Sequence, residues 1–349
     1  MEAIRINGDY EQELFLGKTS SQMNHFLEFI SFFLDERPVY SSKKYSSDYL
    51  DYVASYTGHI PKLTTNLPYI NWWGDLKNIE KERWLNSKVT STEVNLRNAW
   101  VEHTYILGSE TPLESIDWSK NYLLKDPNGM SGKGFKNIHH PLEVDIEQFS
   151  GFILEPLLNR KADFSHYIFE DERRICYENL IDEKFQYRGT IFKNYKSPTI
   201  ENLSFYSNVD VRQWNSFANV IDEVVKIYRQ NTNSGFSIDS FVYEEDQLWI
   251  RALSEVNVRR TMGAVAYELS RRFAHDNLWT MFVLGKLQKK MSFNDIKTRL
   301  KGLEGLIILS PDDVRFQMFF LSAPDEKLGK ELFRNLDRLL TDCQFSVNI

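Results

Sequence analysis

Cysteine is nearly absent: the 349 residues include two, Cys176 and Cys343. They stand far apart and offer neither a disulfide framework nor metal-site spacing, so both are expected to be buried, unreactive thiols. Long apolar runs are also missing. The stretch Phe26 to Leu34 is interrupted by Glu28 and Ser31 and reads as a core helix, too short to span a bilayer. Met1 to Tyr10 has no apolar segment behind basic residues, so no secretory signal is visible and a cytoplasmic location without membrane association is the expectation. Positive charge is in deficit, with a formal net charge of −7. That argues against a general nucleic-acid binder, which needs Lys and Arg to displace counterions from phosphates. The pair His139-His140 lacks metal-site spacing, and no histidine falls in a Ser/His/Asp arrangement. Repeats, linkers and low-complexity segments are not seen.

What is present is a soluble, globular composition: 42% hydrophobic and 26% charged, with 24 Phe, 17 Tyr and 8 Trp. The length suits two or three packed subdomains. Met23, Phe26, Leu27, Ile30, Phe33 and Leu34 recur at helical spacing between Ser20 and Asp35, with Ser20 or Ser21 as cap. Apolar runs at 38–40 and near Leu63 flank a helix over 47–56, which suggests a small α/β unit. Residues 75–100 read as helices with charged faces, and strands are expected at 103–107, 121–125 and 151–158. Alternating segments at 164–169, 174–179 and 187–192 suggest antiparallel strands. A helix over 211–231 fits Trp214, Phe217, Ile221, Val224, Val225 and Tyr228. A strand pair at 235–243 and 248–256 follows, then a helix over 261–273. The tail offers amphipathic helices and apolar strands at 305–310 and 316–321. The first of these strands could complete a sheet within the chain or pair with a second subunit, which leaves a homodimer open.

Two clusters carry chemistry. In Asp126-Pro127-Asn128-Gly129-Met130-Ser131-Gly132-Lys133-Gly134, three glycines and a hydroxyl follow a strand that ends in Lys125. Glycines let backbone N–H groups approach an anion, and lysines add point charge, so phosphate is the natural ligand. The P-loop pattern fails because Pro127 stands at its first glycine and Gly134 at its Ser/Thr. A dinucleotide fingerprint fails at Asn137. In the second cluster Asp239 lies on one strand, and Glu255 and Asn257 lie two residues apart on the next, sharing a face. Two carboxylates and an amide oxygen suit Mg2+ held with substrate phosphates. Arg259 shares their period and could bridge a phosphoryl group and a substrate carboxylate, whereas Arg260 should face away.

In this order the motifs resemble the ATP-grasp superfamily, the group that includes D-alanine–D-alanine ligase, glutathione synthetases and biotin carboxylase. The match rests chiefly on Ser254-Glu255-Val256-Asn257-Val258-Arg259, similar to the family's Glu-x-Asn-x-Arg motif, with Asp239 as the earlier acidic ligand. Lys88 looks like the first nucleotide-binding lysine, opening a helix, and Lys125 like the second. Phe152 to Leu158 is similar to the hinge strand that receives adenine, which assigns Glu155 to the adenine amino group and the backbone of Leu157 or Leu158 to the ring. Asp163 looks like the ribose-binding acid, at a site usually occupied by Glu. The resemblance implies an α/β (α+β) ATP-grasp fold with an N-terminal pre-ATP-grasp α/β subdomain at 1–80, the nucleotide-binding and catalytic domain at 81–275, and a C-terminal α/β extension at 276–349.

The resemblance further implies ATP and Mg2+, two ions, with Gly129, Ser131, Gly132, Lys133 and Gly134 over the phosphates and Gly132 as the hinge of that loop. Lys125 and Arg259 would act catalytically. A substrate carboxylate would attack the γ-phosphate, and an amine would capture the acylphosphate, giving an ADP-forming carboxylate–amine ligase for amino acids or small peptides. Arg188 and Arg174 are candidates for a carboxylate clamp. Two alternatives stay open: a phosphotransferase acting on a small-molecule hydroxyl, and a nucleotide-binding sensor or scaffold without turnover.

Overall fold

Short strands and amphipathic helices alternate from the start of the chain. The computed structural model describes residues 2–19, 21–108, 113–129, 134–287, 289, 291–312, 314 and 316–338, and the side chains of 21–26 and 115 lie outside that set. The N-terminal elements are β1 (Ala3–Arg5), α1 (Tyr10–Leu16), α2 (Ser21–Leu34), β2 (Val39–Tyr40), α3 (Ser47–Thr57), β3 (Leu63–Thr64) and β4 (Tyr69–Asn71). Their strands form a parallel sheet in the order β3-β2-β1-β4. The expected α2 stripe is buried at Leu27, Ile30 and Phe33, while Met23 and Phe26 fall among the side chains outside the described set. The three-residue strands β1 and β4 are too short to show a period in the sequence.

Two helices follow, α4 (Ile79–Asn86) and α5 (Lys88–Arg97). Ser87 separates them and caps the second, its hydroxyl accepting from Val89 N. Lys88 therefore opens α5, as the resemblance implies. A small antiparallel sheet comes next, built from β5 (Tyr105–Ile106), β6 (Tyr122–Lys125), β7 (Phe135–Ile138) and β8 (Ile153–Pro156) in the order β5-β8-β6-β7. It has its own core of Leu107, Ile116, Tyr122, Leu124, Ile138, Val144 and Leu154.

The largest sheet takes in β9 (Asn159–Ile168), β10 (Arg174–Ile181) and β11 (Tyr187–Phe192), then, after α6 (Val211–Arg229), β12 (Phe236–Glu244) and β13 (Leu248–Asn257). It continues, after α7 (Met262–Phe273), with β14 (Trp279–Gly285), α8 (Phe293–Arg299), β15 (Leu306–Ile308), β16 (Gln317–Ala323) and α9 (Glu326–Asp337). Among the described residues its order is β13-β12-β9-β10-β11-β14-β16-β15, antiparallel throughout. The sheet runs without a break across residue 275, because β14 pairs with β11 on one side and β16 on the other. β14 is buried at every position, so its apolar residues run together and give no alternating signal.

Residues 305–310 form their strand within the chain, pairing with β16. The outer edge of that strand is met by α3: Ile308 N donates to Tyr52 Oη at 2.9 Å, and Tyr49 Oη donates to the Leu309 carbonyl at 2.5 Å. Cys176 is a buried free thiol, as expected, whereas Cys343 lies outside the described residues. Among those residues no helix is long and apolar enough to cross a membrane.

The stripe Trp214, Phe217, Ile221, Val224, Val225 and Tyr228 of α6 is buried against the face of the sheet that carries Phe164, Ile168, Cys176 and Ile238. Each such side chain contributes about 2 kcal/mol on burial. His166 lies in the same layer, its ring 5.2 Å from that of Phe217. Burial, with Arg174 adding to it, lowers the His166 pKa to about 4. The unfolded imidazole takes up its proton near pH 6.5 and the folded one near pH 4, so the unfolded state binds more protons in that window and stability falls with falling pH. The expected loss is about 3 kcal/mol across the window. Denaturant unfolding at pH 7, 5.5 and 4.5 should show this slope, and His166→Gln should flatten it.

Candidate active site

Alternation along the strands decides which side chains meet. Register places Asp239 opposite Glu255 and Ser237 opposite Asn257 on the β12–β13 hairpin, while Ser165 of β9 lies opposite Asp239 and Tyr177 of β10 opposite Ser165. Asp163, Ser165 and Asn179 share that face, and Phe164, His166 and Cys176 share the other, against α6. The expected set Asp239, Glu255 and Asn257 is thus brought together by pairing alone.

Two carboxylates directly opposite one another repel, and the surroundings answer that repulsion. Asp239 accepts from Ser165 Oγ at 2.7 Å, Ser237 Oγ at 3.3 Å and Asn257 Nδ2 at 2.9 Å. Asn179 Nδ2 donates in turn to Ser165 Oγ at 2.6 Å. Glu255 is ion-paired to Lys88 Nζ at 3.1 Å. Burial, then the Glu255 charge, pushes the Asp239 carboxyl up to about 7. Burial acts on Glu255 in the same sense but is outweighed by Lys88 and Lys125, which hold it well below the usual carboxylate range. One carboxyl of the pair therefore keeps a proton where free carboxylates do not.

The glycine loop starts beside this cluster. Lys88 Nζ also donates to the Gly129 carbonyl, and Lys88 N donates to the Pro127 carbonyl at 3.3 Å. The turn closes through Asn128 N to Asp126 Oδ1 at 2.8 Å and Asp126 N to the Gly134 carbonyl at 3.0 Å. Gly134 has φ +82°, and a Cβ there would stand 2.8 Å from Asp126 Cβ, so a larger residue is excluded twice over. Ser131, Gly132 and Lys133 lie outside the described residues.

Lys125 is buried at the end of β6 and ion-paired to Glu155 of β8. Burial lowers the Lys125 pKa against the pull of Glu155. Burial would raise that of Glu155, but Lys125, Arg251 and Arg160 together hold it below the ordinary value. Asp163 sits within β9 rather than in a turn, 3.4 Å from Arg160. Burial raises its pKa despite Arg160 and Lys125. Arg160 stacks on Phe241 with 3.7 Å to the ring centroid. Leu157 and Leu158 form the short link between β8 and β9, and the Leu157 amide already donates to the Asn121 carbonyl at 2.8 Å.

Arg259 donates to Asn257 Oδ1 at 3.4 Å and is ion-paired to Glu11 of α1. Arg260 turns away as expected, stacking on Trp72 and facing Glu268 at 3.6 Å. Both candidates for a carboxylate clamp are engaged by acids of this chain. Arg174 is an even-numbered position of β10, so it lies on the α6 face, where it pairs with Asp222 at 2.5 Å. Arg188 is committed to Asp182 through Nε at 2.9 Å and Nη2 at 2.6 Å, with its guanidinium over Phe316.

The architecture is similar to that of the biotin carboxylase–β,γ-ATP complex from Campylobacter jejuni, with a TM-score of 0.50 and 13% identity over 97% of this chain and 86% of that one. The chain has the ATP-grasp fold. N5-carboxyaminoimidazole ribonucleotide synthetase from Thermus thermophilus matches at a TM-score of 0.49 and 14% identity, over 80% of this chain and 77% of that one. No protein-family model and no curated protein matches the sequence.

Among the described residues no group of three or more His, Cys, Asp or Glu side chains could hold a metal ion. A cation at this cluster would need oxygens beyond the two carboxylates. The sequence reading missed Ser165, Ser237 and Asn179, although the alternation that linked Glu255 to Asn257 extends to them across the neighbouring strands. It also missed Glu11, which no local pattern marks.

The proton on Asp239 gives a direct check. Its folded pKa of about 7 exceeds the ordinary 3.8, so its contribution to stability is full below about pH 4 and is lost as pH rises through 7. Asp239→Asn should therefore raise the melting temperature at pH 8 in chelator-treated buffer, by about 1 kcal/mol or more in unfolding free energy, with little change at pH 5. Thermal unfolding at the two pH values measures it, and a loss at pH 8 would contradict the repulsion.

Proposed function

We propose that this chain is an ADP-forming, ATP-dependent ligase that activates a substrate carboxylate as an acylphosphate and passes the acyl group to an amine. The observation that carries the reading is the convergence of Lys88, Glu255, Asp239, Asn257 and Arg259 at the end of one hairpin, beside a glycine turn that Lys88 holds. In the balanced reaction a carboxylate oxygen bonds to the γ-phosphorus as the bond from that phosphorus to the β-bridging oxygen breaks and ADP leaves. The amine then attacks the acyl carbon, expelling phosphate and losing a proton.

The chain's own residues supply positioning and charge, which are the main requirements of phosphoryl transfer. Lys125 and Lys88 are assigned to the polyphosphate, beside a turn whose Gly129 amide is itself engaged by the Asp126 carbonyl at 3.1 Å. Glu155 accepts from the adenine amino group. The Leu158 amide is assigned to the ring, since the Leu157 amide is already engaged. Asp163 takes the ribose. Arg259 holds the carboxylate and the transferring phosphoryl group. Asp239, Glu255 and Asn257 would hold Mg2+ together with substrate phosphates, because register brings two carboxylates and an amide oxygen, all hard donors, to one face. When bound, that metal neutralises phosphate charge and orients the transferring group.

Product analysis decides the class. Incubation with Mg-ATP and pooled amino acids or short peptides should release ADP and phosphate in a substrate-dependent manner, falling ~100-fold or more in Lys125→Ala and Glu255→Ala. ADP with a stable phosphorylated product would instead mark a phosphotransferase, and AMP with pyrophosphate would overturn the acylphosphate route.

A further inference from the structure

Arg259 stands outside any regular element, in the segment 258–260 between β13 and α7, so its aim is set by whatever fixes that backbone. Its guanidinium is only partly committed: beyond the contacts to Glu11, Asn257 and the Arg260 carbonyl, Nε is buried without a hydrogen-bond acceptor among the described residues. All three amides of the segment, by contrast, are bound. Arg259 N donates to the Asn257 carbonyl at 3.0 Å, Arg260 N to the Trp73 carbonyl at 2.9 Å, and Val258 N to Asn86 Oδ1 at 2.8 Å. Trp73 is held in turn by Asn7, which accepts from Trp73 N and donates to the Gly74 carbonyl, each at 2.9 Å. The Asn86 amide has one orientation only. Its Nδ2 donates to the Glu82 carbonyl at 2.9 Å and to Tyr10 Oη at 3.3 Å, while the Tyr10 proton is directed to Glu82 Oε2 at 3.0 Å. Oδ1 is thereby left to face Val258, the one group there that can only donate.

We propose that Asn86 is a positioning residue: it fixes the backbone of 258–260 so that Arg259 points at the transferring phosphoryl group. The inference rests on the phosphoryl-transfer reading above and adds a residue to it. Asn86 is the last residue of α4, directly before the Ser87 cap and Lys88. One corner of the chain, 86–88, therefore grips the end of the hairpin on both sides of Asn257, with Asn86 at Val258 and Lys88 at Glu255. Loss of the Asn86 bond alone frees the arginine and leaves the lysine, which has its own anchors at the Pro127 and Gly129 carbonyls. The same strand edge offers a comparison. Farther back along β13, Ser91 Oγ accepts from Val256 N at 3.1 Å and Asn95 Nδ2 donates to the Leu253 carbonyl at 3.0 Å. Asn95 thus satisfies a buried backbone group as Asn86 does, but within β13, whose course the ladder to β12 already fixes. Beyond Asn257 that ladder has ended, and the side-chain amide of Asn86 takes its place.

The test uses the full chain with two probes, Mg-ADP alone and Mg-ADP with aluminium fluoride, which mimics the transferring phosphoryl group and needs no carboxylate substrate. The fluoride complex should bind the unaltered chain ~100-fold or more tighter than Mg-ADP alone, as a transition-state mimic does. Asn86→Leu, which removes the acceptor, should keep the Kd for Mg-ADP and lose most of that tightening, since a small misplacement of a reacting-site group costs up to ~100-fold. Asn86→Asp keeps an acceptor for Val258 N and should retain most of it. Asn95→Leu should lower the melting temperature about as much as Asn86→Leu does and leave the tightening in place. In an Arg259→Ala background, Asn86→Leu should have no further effect on the tightening, because the asparagine acts through the arginine. Full tightening in Asn86→Leu, loss of Mg-ADP binding in that variant, equal loss of tightening in Asn95→Leu, or an additive loss in the double variant would overturn the assignment of Asn86. Failure of the unaltered chain to bind Mg-ADP, or to bind the fluoride complex more tightly, would instead overturn the phosphoryl-transfer reading and this proposal with it.

Discussion

The repulsion between Asp239 and Glu255 organises much of what surrounds them. Antiparallel pairing sets the two carboxylates opposite each other on a half-buried face, where like charges are costly. Three donors converge on Asp239, and a lysine from a different layer converges on Glu255. That lysine is placed by the Ser87 cap of α5, so a helix start more than a hundred residues earlier in sequence is part of the same electrostatic arrangement. Because Lys88 also holds the Gly129 carbonyl, the charge balance of the hairpin and the anchoring of the glycine turn are one constraint. A hydrophobic pair at 239 and 255 would remove the repulsion, so the charged pair departs from the usual rule for opposed positions in a sheet.

The N-terminal elements are keyed to the largest sheet at two ends. At one end, Asn7, Trp73, Tyr10 and Asn86 lock onto the segment 258–260. At the other, Tyr49 and Tyr52 of α3 occupy backbone groups of the edge strand β15. Hydroxyls are suited to this because they satisfy an exposed strand edge without extending the sheet, which leaves no template there for a further strand. Both contacts depend on buried aromatic side chains that carry a polar tip, which gives the high tyrosine content a structural use.

Much of this was legible in the sequence wherever one segment carried its own signal. The stripe of α6, the hairpin at 236–257 and the lysine at the end of β6 follow from spacing that a single element sets. The i, i+2 relation of Glu255 and Asn257 placed them on one face correctly. The same parity places Arg174 on the opposite face, but only once its strand's partner register is known. Arg188 was equally opaque, because the Asp182 that claims it stands in a turn and looks like an ordinary surface acid. β14 escaped because a strand buried on both faces loses its alternation, and Glu11 escaped because its partner lies near the far end of the chain.

Every basic group assigned to the reaction is already paired with an acid of the chain: Lys88 with Glu255, Lys125 with Glu155, and Arg259 with Glu11. The site thus folds close to electrical neutrality, with the remaining acid, Asp239, holding a proton up to about pH 7. Cations buried without partners would have cost several kcal/mol each, so this pairing is what allows a charged site to exist before any ligand arrives. It also changes what ligand affinity measures. A phosphate or carboxylate does not meet a bare cation; it exchanges with a carboxylate already in place, and only the difference between the two contacts contributes to binding. Such exchange tempers affinity for a highly charged nucleotide, and it makes each displaced carboxylate a group that must find a new positive partner.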